Sequence, residues 1–410
     1  MGKIILLAIG TFALGVDAFI IAGLIPAISS ETNTSQAYTG QMVTIFTLCY
    51  ALSGPVLSSL LKLDAKSLLV GSLIVFTLGN VGTALSDSFV TLVISRAIAG
   101  TGAGLYSPTA AATAAHLAPV NLRGRALSTI LGGLSVGTVI GVPTGLLVAD
   151  SFGWRSSFWF LSVVGILACL GILKFVPRIH LSGAPSIKAR LSTFVDLRVA
   201  PIVLVSLIFN VASLGLYTYI APILQSTSGI TNIALYLWIW GIGGIIGAFS
   251  VGSLIDRTSS ATRVMPVVLL VFMVATASIS FGGQTLWIVI LAMALWGASG
   301  FASPPPQQHL LLERAPDRGT VGVAANSSAI YLGGAFGTLL GGVALHHGVH
   351  LEDLPKFASG ISLFALIIYI FLVIRWGSRP SGGANKDKRD RKDGASRYRS
   401  EPASSNSDLI

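Results

Sequence analysis

The stretch from Ile4 to Ile28 reads IILLAIGTFALGVDAFIIAGLIPAI. At about 1.5 Å of rise per residue, a helix of this length crosses the roughly 30 Å hydrocarbon layer of a bilayer. One carboxylate, Asp17, stands near its middle. An ionisable group at that depth costs about 2.5 to 3.5 kcal/mol even on the lenient insertion scale, so Asp17 is expected to face a protein interior or a watery cavity. The run is longer than the apolar core of a secretory leader and leads straight into a second apolar run, so it is expected to stay uncleaved.

The same texture continues along the chain. Hydrophobic residues make up 53% of the 410 positions and charged residues 10%, a balance that belongs to integral membrane proteins. Backbone groups find no water in hydrocarbon, so uniformly apolar runs of about 20 residues mean helices. Twelve such runs are present, at 4–28, 40–61, 67–85, 89–114, 126–149, 157–176, 201–224, 233–255, 264–282, 286–308, 321–345 and 357–375. The expected fold is all-α and integral to the membrane. Cys49 and Cys169 fall inside the second and sixth runs and read as small packing residues.

The formal net charge of +10 is unevenly placed. Lys62, Lys66, Arg123, Arg125, Arg178, Lys188, Arg190, Arg198, Arg257, Arg263, Arg314 and Arg318 fall on one side, with Lys3 and the tail. Arg155 and Lys356 stand on the other, among Glu31, Asp87, Asp150, Glu352 and Asp353. The positive-inside rule then puts both termini in the cytoplasm. The basic excess reads as topology and contact with membrane lipids, not as nucleic-acid binding.

Connections are short except at two places, giving an N-terminal six-helix bundle at 1–176, a cytoplasmic linker at 177–200, a C-terminal bundle at 201–375 and a disordered basic tail at 376–410. The halves look related: AGTGAGLYSP (Ala99 to Pro108) lines up with WGASGFASPP (Trp296 to Pro305), and each is followed by an Arg-Gly loop and a glycine-rich span. Parallel repeats with a substrate site at their interface form a transporter pattern. In span 5, Gly137, Gly141, Pro143 and Gly145 predict a close helix crossing, either plain tight packing or a surface on which two bundles rock.

These residues resemble the major facilitator superfamily, and within it the twelve-span drug:proton antiporters. Val139-Ile140-Gly141-Val142-Pro143-Thr144-Gly145 is similar to the family's antiporter motif, with Gly-Val-Pro in place of the usual Gly-Pro. Arg96 with Gly100 and Gly102 resembles the motif whose arginine is implicated in proton coupling. Gly252 to Arg257, with Asp256 and Arg263, resembles a cytoplasmic gating motif; its counterpart after span 2 is degenerate and keeps Asp64 and Lys66. GWRSSFW (Gly153 to Trp159), YTYIAPIL (Tyr217 to Leu224) and PPQQHLLLERAPDRG (Pro305 to Gly319) look most like the bacterial group of chloramphenicol-resistance, sugar-efflux and purine-efflux exporters. The resemblance implies a major facilitator fold of twelve transmembrane helices in two pseudo-symmetric halves, set in a bacterial inner membrane and exchanging a small amphipathic compound or drug for protons. The alternatives are export of a metabolite such as a sugar or purine nucleoside, and a receptor or scaffold that does not transport.

Proton-driven transport needs a group that changes charge as the cavity changes sides, and Asp17 meets that need. By helical rise Arg96 lies about 10 Å and Asp17 about 16 Å below the outer surface, within reach of each other. Gln41, Tyr50, Asn210, Tyr217, Tyr219, Trp238, Trp240 and Asn326 are candidates for the lining of a substrate cavity. Pro304-Pro305-Pro306 must break or kink span 10, as a hinge or as a helix end. His309, His346 and His347 lack ligand spacing, so no metal is expected. Phosphate-binding loops and nucleophile elbows are also missing from the sequence, so the expectation is a monomeric transporter without cofactor rather than an enzyme.

Overall fold

The computed structural model describes residues 1–374 apart from positions 62, 181–191, 193–194, 259 and 283–284. Among the described residues, twelve helices are long and apolar enough to span a membrane. They are α1 (Gly2–Glu31), α2 (Gln36–Ser58), α3 (Ala65–Leu85), α4 (Phe89–Leu117), α5 (Val120–Phe152), α6 (Arg155–Phe175), α7 (Ala200–Thr218), α8 (Ala234–Thr258), α9 (Ala261–Phe281), α10 (Leu286–Arg314), α11 (Val321–His346) and α12 (Leu351–Phe371). Several run past the apolar stretches that mark them in the sequence, because the polar last turns of a helix can stand outside the hydrocarbon. Most of the linker at 177–200 and the whole tail at 376–410 lie outside the described residues.

Three helices are irregular for identifiable reasons. In α5, Pro143 supplies no N–H to the turn before it, and Gly137–Gly141 is wound one residue wider than an α-helix. The seventh span is two pieces rather than the single 201–224 run: it stops at Thr218, and a short helix, Ile220–Ser228, follows Tyr219 and ends on left-handed Gly229. The tenth steps at Ser303, where Leu286–Ala302 hands over to Pro304–Arg314. There the three prolines occupy a first helical turn, the position where a missing N–H costs least.

Packing is strongest within each set of six helices, and the halves meet where α2 packs on α11, α5 on α8 and α1 on the α7 segment. These seams lie toward the face opposite the basic residues: Tyr38 packs edge-on against His346, and Gln41 Nε2 donates to Tyr219 Oη at 3.4 Å. At the basic face, Arg123–Val136 of α5 and Pro304–Arg314 of α10 pack chiefly on helices of their own halves. The bundle is therefore closed at the face opposite the basic residues and parted at the basic one.

Candidate functional site

Asp17 and Arg96 meet in the middle of the N-terminal half. Arg96 Nη1 donates to Asp17 Oδ1 at 2.7 Å, and neither side chain is exposed to any degree. Asn80 of α3 completes the group: its Nδ2 donates to Asp17 Oδ2 at 3.2 Å and to the Phe76 carbonyl at 3.1 Å, while its Oδ1 accepts from Arg96 Nη1 at 3.5 Å. The guanidinium lies 4.3 Å from the Phe46 ring centroid and 5.6 Å from that of Phe158. Glycines make this convergence possible. A Cβ on Gly100 would run into the Phe46 backbone, and one on Gly102 into Ser72 and Phe76, so α4 can slot between α2 and α3 only without side chains there. The result is a net-neutral pair out of water, in which removing either partner strands a buried charge.

The pair connects to the seam through rings. Phe46 lies 6.2 Å from Tyr50, one helical turn along α2, and Tyr50 stacks on Tyr331 of α11 at 4.0 Å across the two halves. Phe19, two residues beyond Asp17, packs edge-on against Tyr217 at 5.4 Å and lies 6.1 Å from Trp240. A cavity of about 20 Å³, room for one water, sits beside them and is lined by Phe19, Val43, Tyr217, Thr218, Tyr331 and Thr338 among others. Tyr50, Tyr217 and Trp240 thus stand at the interface of the halves.

Other candidates lie elsewhere. Trp238 shares a stripe of α8 with exposed Leu235, Ile242, Ile245 and Phe249, which faces outward; two residues of helix turn it about 200° from Trp240. Gln41 belongs to the seam at the face opposite the basic residues, against Tyr219 and Gly342. Asn210 donates to the Ser206 carbonyl at 2.8 Å and packs on Gly333. Asn326 is 1% exposed and donates to Gln307 Oε1 at 3.2 Å, with Ser206 Oγ touching both, so this amide ties α7, α10 and α11 together instead of lining a cavity. A buried amide needs partners, and neighbouring helices supply them.

The glycines of α5 face α1, not the other half. Gly137 meets the Phe12 carbonyl, Gly141 the Val16 and Phe12 side chains and Gly145 the Ile20 side chain, while Pro143 is buried in the same turn. Toward the other half, it is Val139 that packs on Gly241 of α8. Asp64 caps α3, accepting from Ser67 N at 3.1 Å and Ser67 Oγ at 2.6 Å, and the Ser67 hydroxyl holds its carboxyl below the usual carboxylate range. Asp256, Arg257 and Arg263 are exposed at the basic ends of α8 and α9, where the halves are parted. Among the described residues no group of three or more His, Cys, Asp or Glu could hold a metal.

Sequence reading passed over Asn80, Phe19, Phe46, Ser206, Gln307 and Tyr331. Asn80 carried a usable signal, an amide inside an apolar run. For the aromatic residues the signal is only their position relative to a partner helix.

A fold of this kind around a buried ion pair defines a multi-pass membrane transporter. Residues 7–338 match the sequence profile of the Major Facilitator Superfamily, and the chain belongs to that family. It is 28% identical over 372 residues to the inner membrane transport protein YdhP of Escherichia coli O157:H7, covering 90% of this chain and 95% of that one. It is 27% identical to the chloramphenicol resistance protein of Streptomyces lividans, covering 89% and 94%. Among solved structures it shares its fold with the xylose transporter XylE from E. coli in a partially occluded inward open conformation, at a TM-score of 0.70 and 17% identity, covering 92% and 97%. The family, with a relative named as a transport protein, makes this chain a membrane transporter and not an enzyme.

Proposed function

We propose that this transporter exports small amphipathic compounds, drugs among them, in exchange for protons by alternating access. The observation that carries the reading is the fully buried Asp17–Arg96–Asn80 group, joined by Phe46 and Tyr50 to the seam between halves. When Asp17 takes a proton its attraction for Arg96 falls, and the guanidinium is free to shift against Phe46. That shift reaches Tyr50 and Tyr331, where the halves touch. With the basic face toward the cytoplasm, as the positive-inside rule favours, the present arrangement is inward-facing.

The rings of Phe19, Tyr50, Tyr217, Trp240 and Tyr331 gathered at the seam support an amphipathic cargo over a sugar or nucleoside. A relative named for chloramphenicol resistance supports export. The chain would act as a monomer with protons and cargo as its partners and no cofactor. The test is a flux screen in proteoliposomes under an imposed pH gradient, with drugs, nucleosides and sugars side by side. Gradient-driven movement of amphipathic drugs, lost in Asp17→Asn, is the expected result; movement of sugars or nucleosides alone would replace the reading.

A further inference from the structure

Arg96 is held by one nitrogen. Its Nη1 carries both polar bonds, to Asp17 Oδ1 at 2.7 Å and to Asn80 Oδ1 at 3.5 Å, while among the described residues Nε and Nη2 have no hydrogen-bond partner. The rest of the guanidinium lies against the rings of Phe46 and Phe158. Asp17, Asn80 and Arg96 are each 0% exposed, so solvent does not stand by to replace a bond that one of them gives up. Arg96 and Asn80 are the polar side chains that bond to Asp17 from the helices packed around α1.

The neighbours of Asn80 set its amide. Nδ2 faces two acceptors, Asp17 Oδ2 at 3.2 Å and the Phe76 carbonyl at 3.1 Å, and Oδ1 faces a donor. That orientation suits an ionised Asp17, which only accepts. A proton on Asp17 changes one of those neighbours. Oδ1 of Asp17 is covered by a cationic N–H, so the proton belongs on Oδ2, which then donates toward Nδ2, itself a donor. Asn80 cannot back away with its helix, because a Cβ on the adjacent Gly79 would already run into the Ala99 backbone of α4. Half a turn of the amide removes the conflict, and its oxygen and NH₂ are alike enough in size to exchange places without new space. Oδ1 of Asn80 then accepts from Asp17, and Nδ2 points at Arg96 Nη1, donor to donor. The Phe76 carbonyl loses the amide but keeps the backbone N–H that an α-helix gives it from Asn80 itself.

We propose that Asn80 is the positioning residue through which a single proton frees Arg96. The proton forms one O–H bond on Asp17 and breaks no covalent bond, and by turning the amide it removes the second polar bond of Nη1 along with the charge attraction of the first. Charge loss alone leaves a carbonyl oxygen on Asp17 that still accepts from Nη1. This rests on the proton-coupled reading above and adds to it the part that turns neutralisation into release.

The test is infrared difference spectroscopy on the full chain in lipid nanodiscs, stepped between high and low pH, with isotope-labelled asparagine or arginine to mark each side chain's stretch. Subtracting Asp17→Asn removes the contribution of surface carboxylates. The expected spectrum pairs a carboxyl C=O band from Asp17 with a shifted asparagine carbonyl band, and the asparagine band is lost in Asn80→Leu, a variant of nearly the same shape. The guanidinium band should move with the carboxyl band in the wild type and stay in place in Asn80→Leu. A carboxyl band without an asparagine band in the wild type overturns the inference and leaves the proton reading standing; absence of the carboxyl band overturns both. A guanidinium shift of wild-type size in Asn80→Leu also overturns it, because the amide would then only hold helices together. Thermal unfolding shows whether that variant is folded, and the labelled wild-type spectrum decides the matter if it is not.

Discussion

Arg96 and Asp17 form an ion pair 2.7 Å long from which solvent is wholly excluded, and Asn80 bonds to both members. Breaking such a pair from one side costs about 3 to 5 kcal/mol, since the other charge stays buried. Asp17→Asn and Arg96→Gln should each lower the unfolding temperature, while the double variant should unfold closer to wild type than either. None of the three should move protons. Arg96→Lys should also fail, because an ammonium cannot keep both the carboxylate contact and the flat stack on Phe46. Thermal unfolding in detergent with flux on the same preparations checks this, and additive losses in the double variant would contradict the coupling.

Two neighbouring glycines of α5 separate packing from tolerance. A methyl on Gly137 would run into the Phe12 carbonyl of α1, the helix that carries Asp17, whereas one on Gly132 meets nothing within 4 Å. Gly137→Ala should destabilise by about 1 to 3 kcal/mol and depress transport, because α1 has to move. Gly132→Ala should be neutral or stabilising by up to about 1 kcal/mol. Equal unfolding temperatures for the two variants would contradict the packing described.

The seam between α2 and α11 offers a lock. The Ala37 carbonyl oxygen of α2 lies 3.0 Å from where a Cβ on Gly342 of α11 would stand. With Cys49 and Cys169 replaced by serine, Ala37→Cys with Gly342→Cys should cross-link under mild oxidation. Flux should stop and return with reductant. Cross-linked protein that transports at the uncross-linked rate would show that this seam need not open.

A pH effect is expected at the basic face. Arg198 bonds to Asp196 at 2.9 Å and Asp317 at 3.1 Å, and those bonds hold both carboxyls below the usual range. A lowered native pKa stabilises the fold above the ordinary carboxylate value of about 4, and the contribution is lost as pH falls through the lowered values. Arg198→Ala should therefore melt below wild type at pH 7, with a gap that closes as the pH drops below about 4. The gap should be small because the groups are exposed. A gap constant with pH would assign the arginine a packing role instead.

The bilayer makes much of this molecule legible from its sequence. Membrane thickness fixes the length of each apolar run, and the expense of a buried charge singles out Asp17 and Arg96. What sequence leaves open is facing. Trp238 and Trp240 differ by two positions, and only the neighbours of α8 decide that one points outward and the other to the seam. The glycines of α5 announce a close crossing, but α1 and the opposite half are equally eligible partners until coordinates choose. Asn80 needed no coordinates, only the rule already applied to Asp17. Asn326 and Gln41 pair with residues more than a hundred positions away, Ser206 and Tyr219, so nothing local distinguishes them from cavity residues.

The central claim, that Asp17 carries the coupled proton, is tested most directly in proteoliposomes holding a pH-sensitive dye and a labelled amphipathic drug under an imposed pH gradient. The account expects drug accumulation accompanied by opposite proton movement in the wild-type protein, abolished by a protonophore and absent in folded Asp17→Asn. Drug accumulation with proton movement at wild-type rate in Asp17→Asn would contradict it.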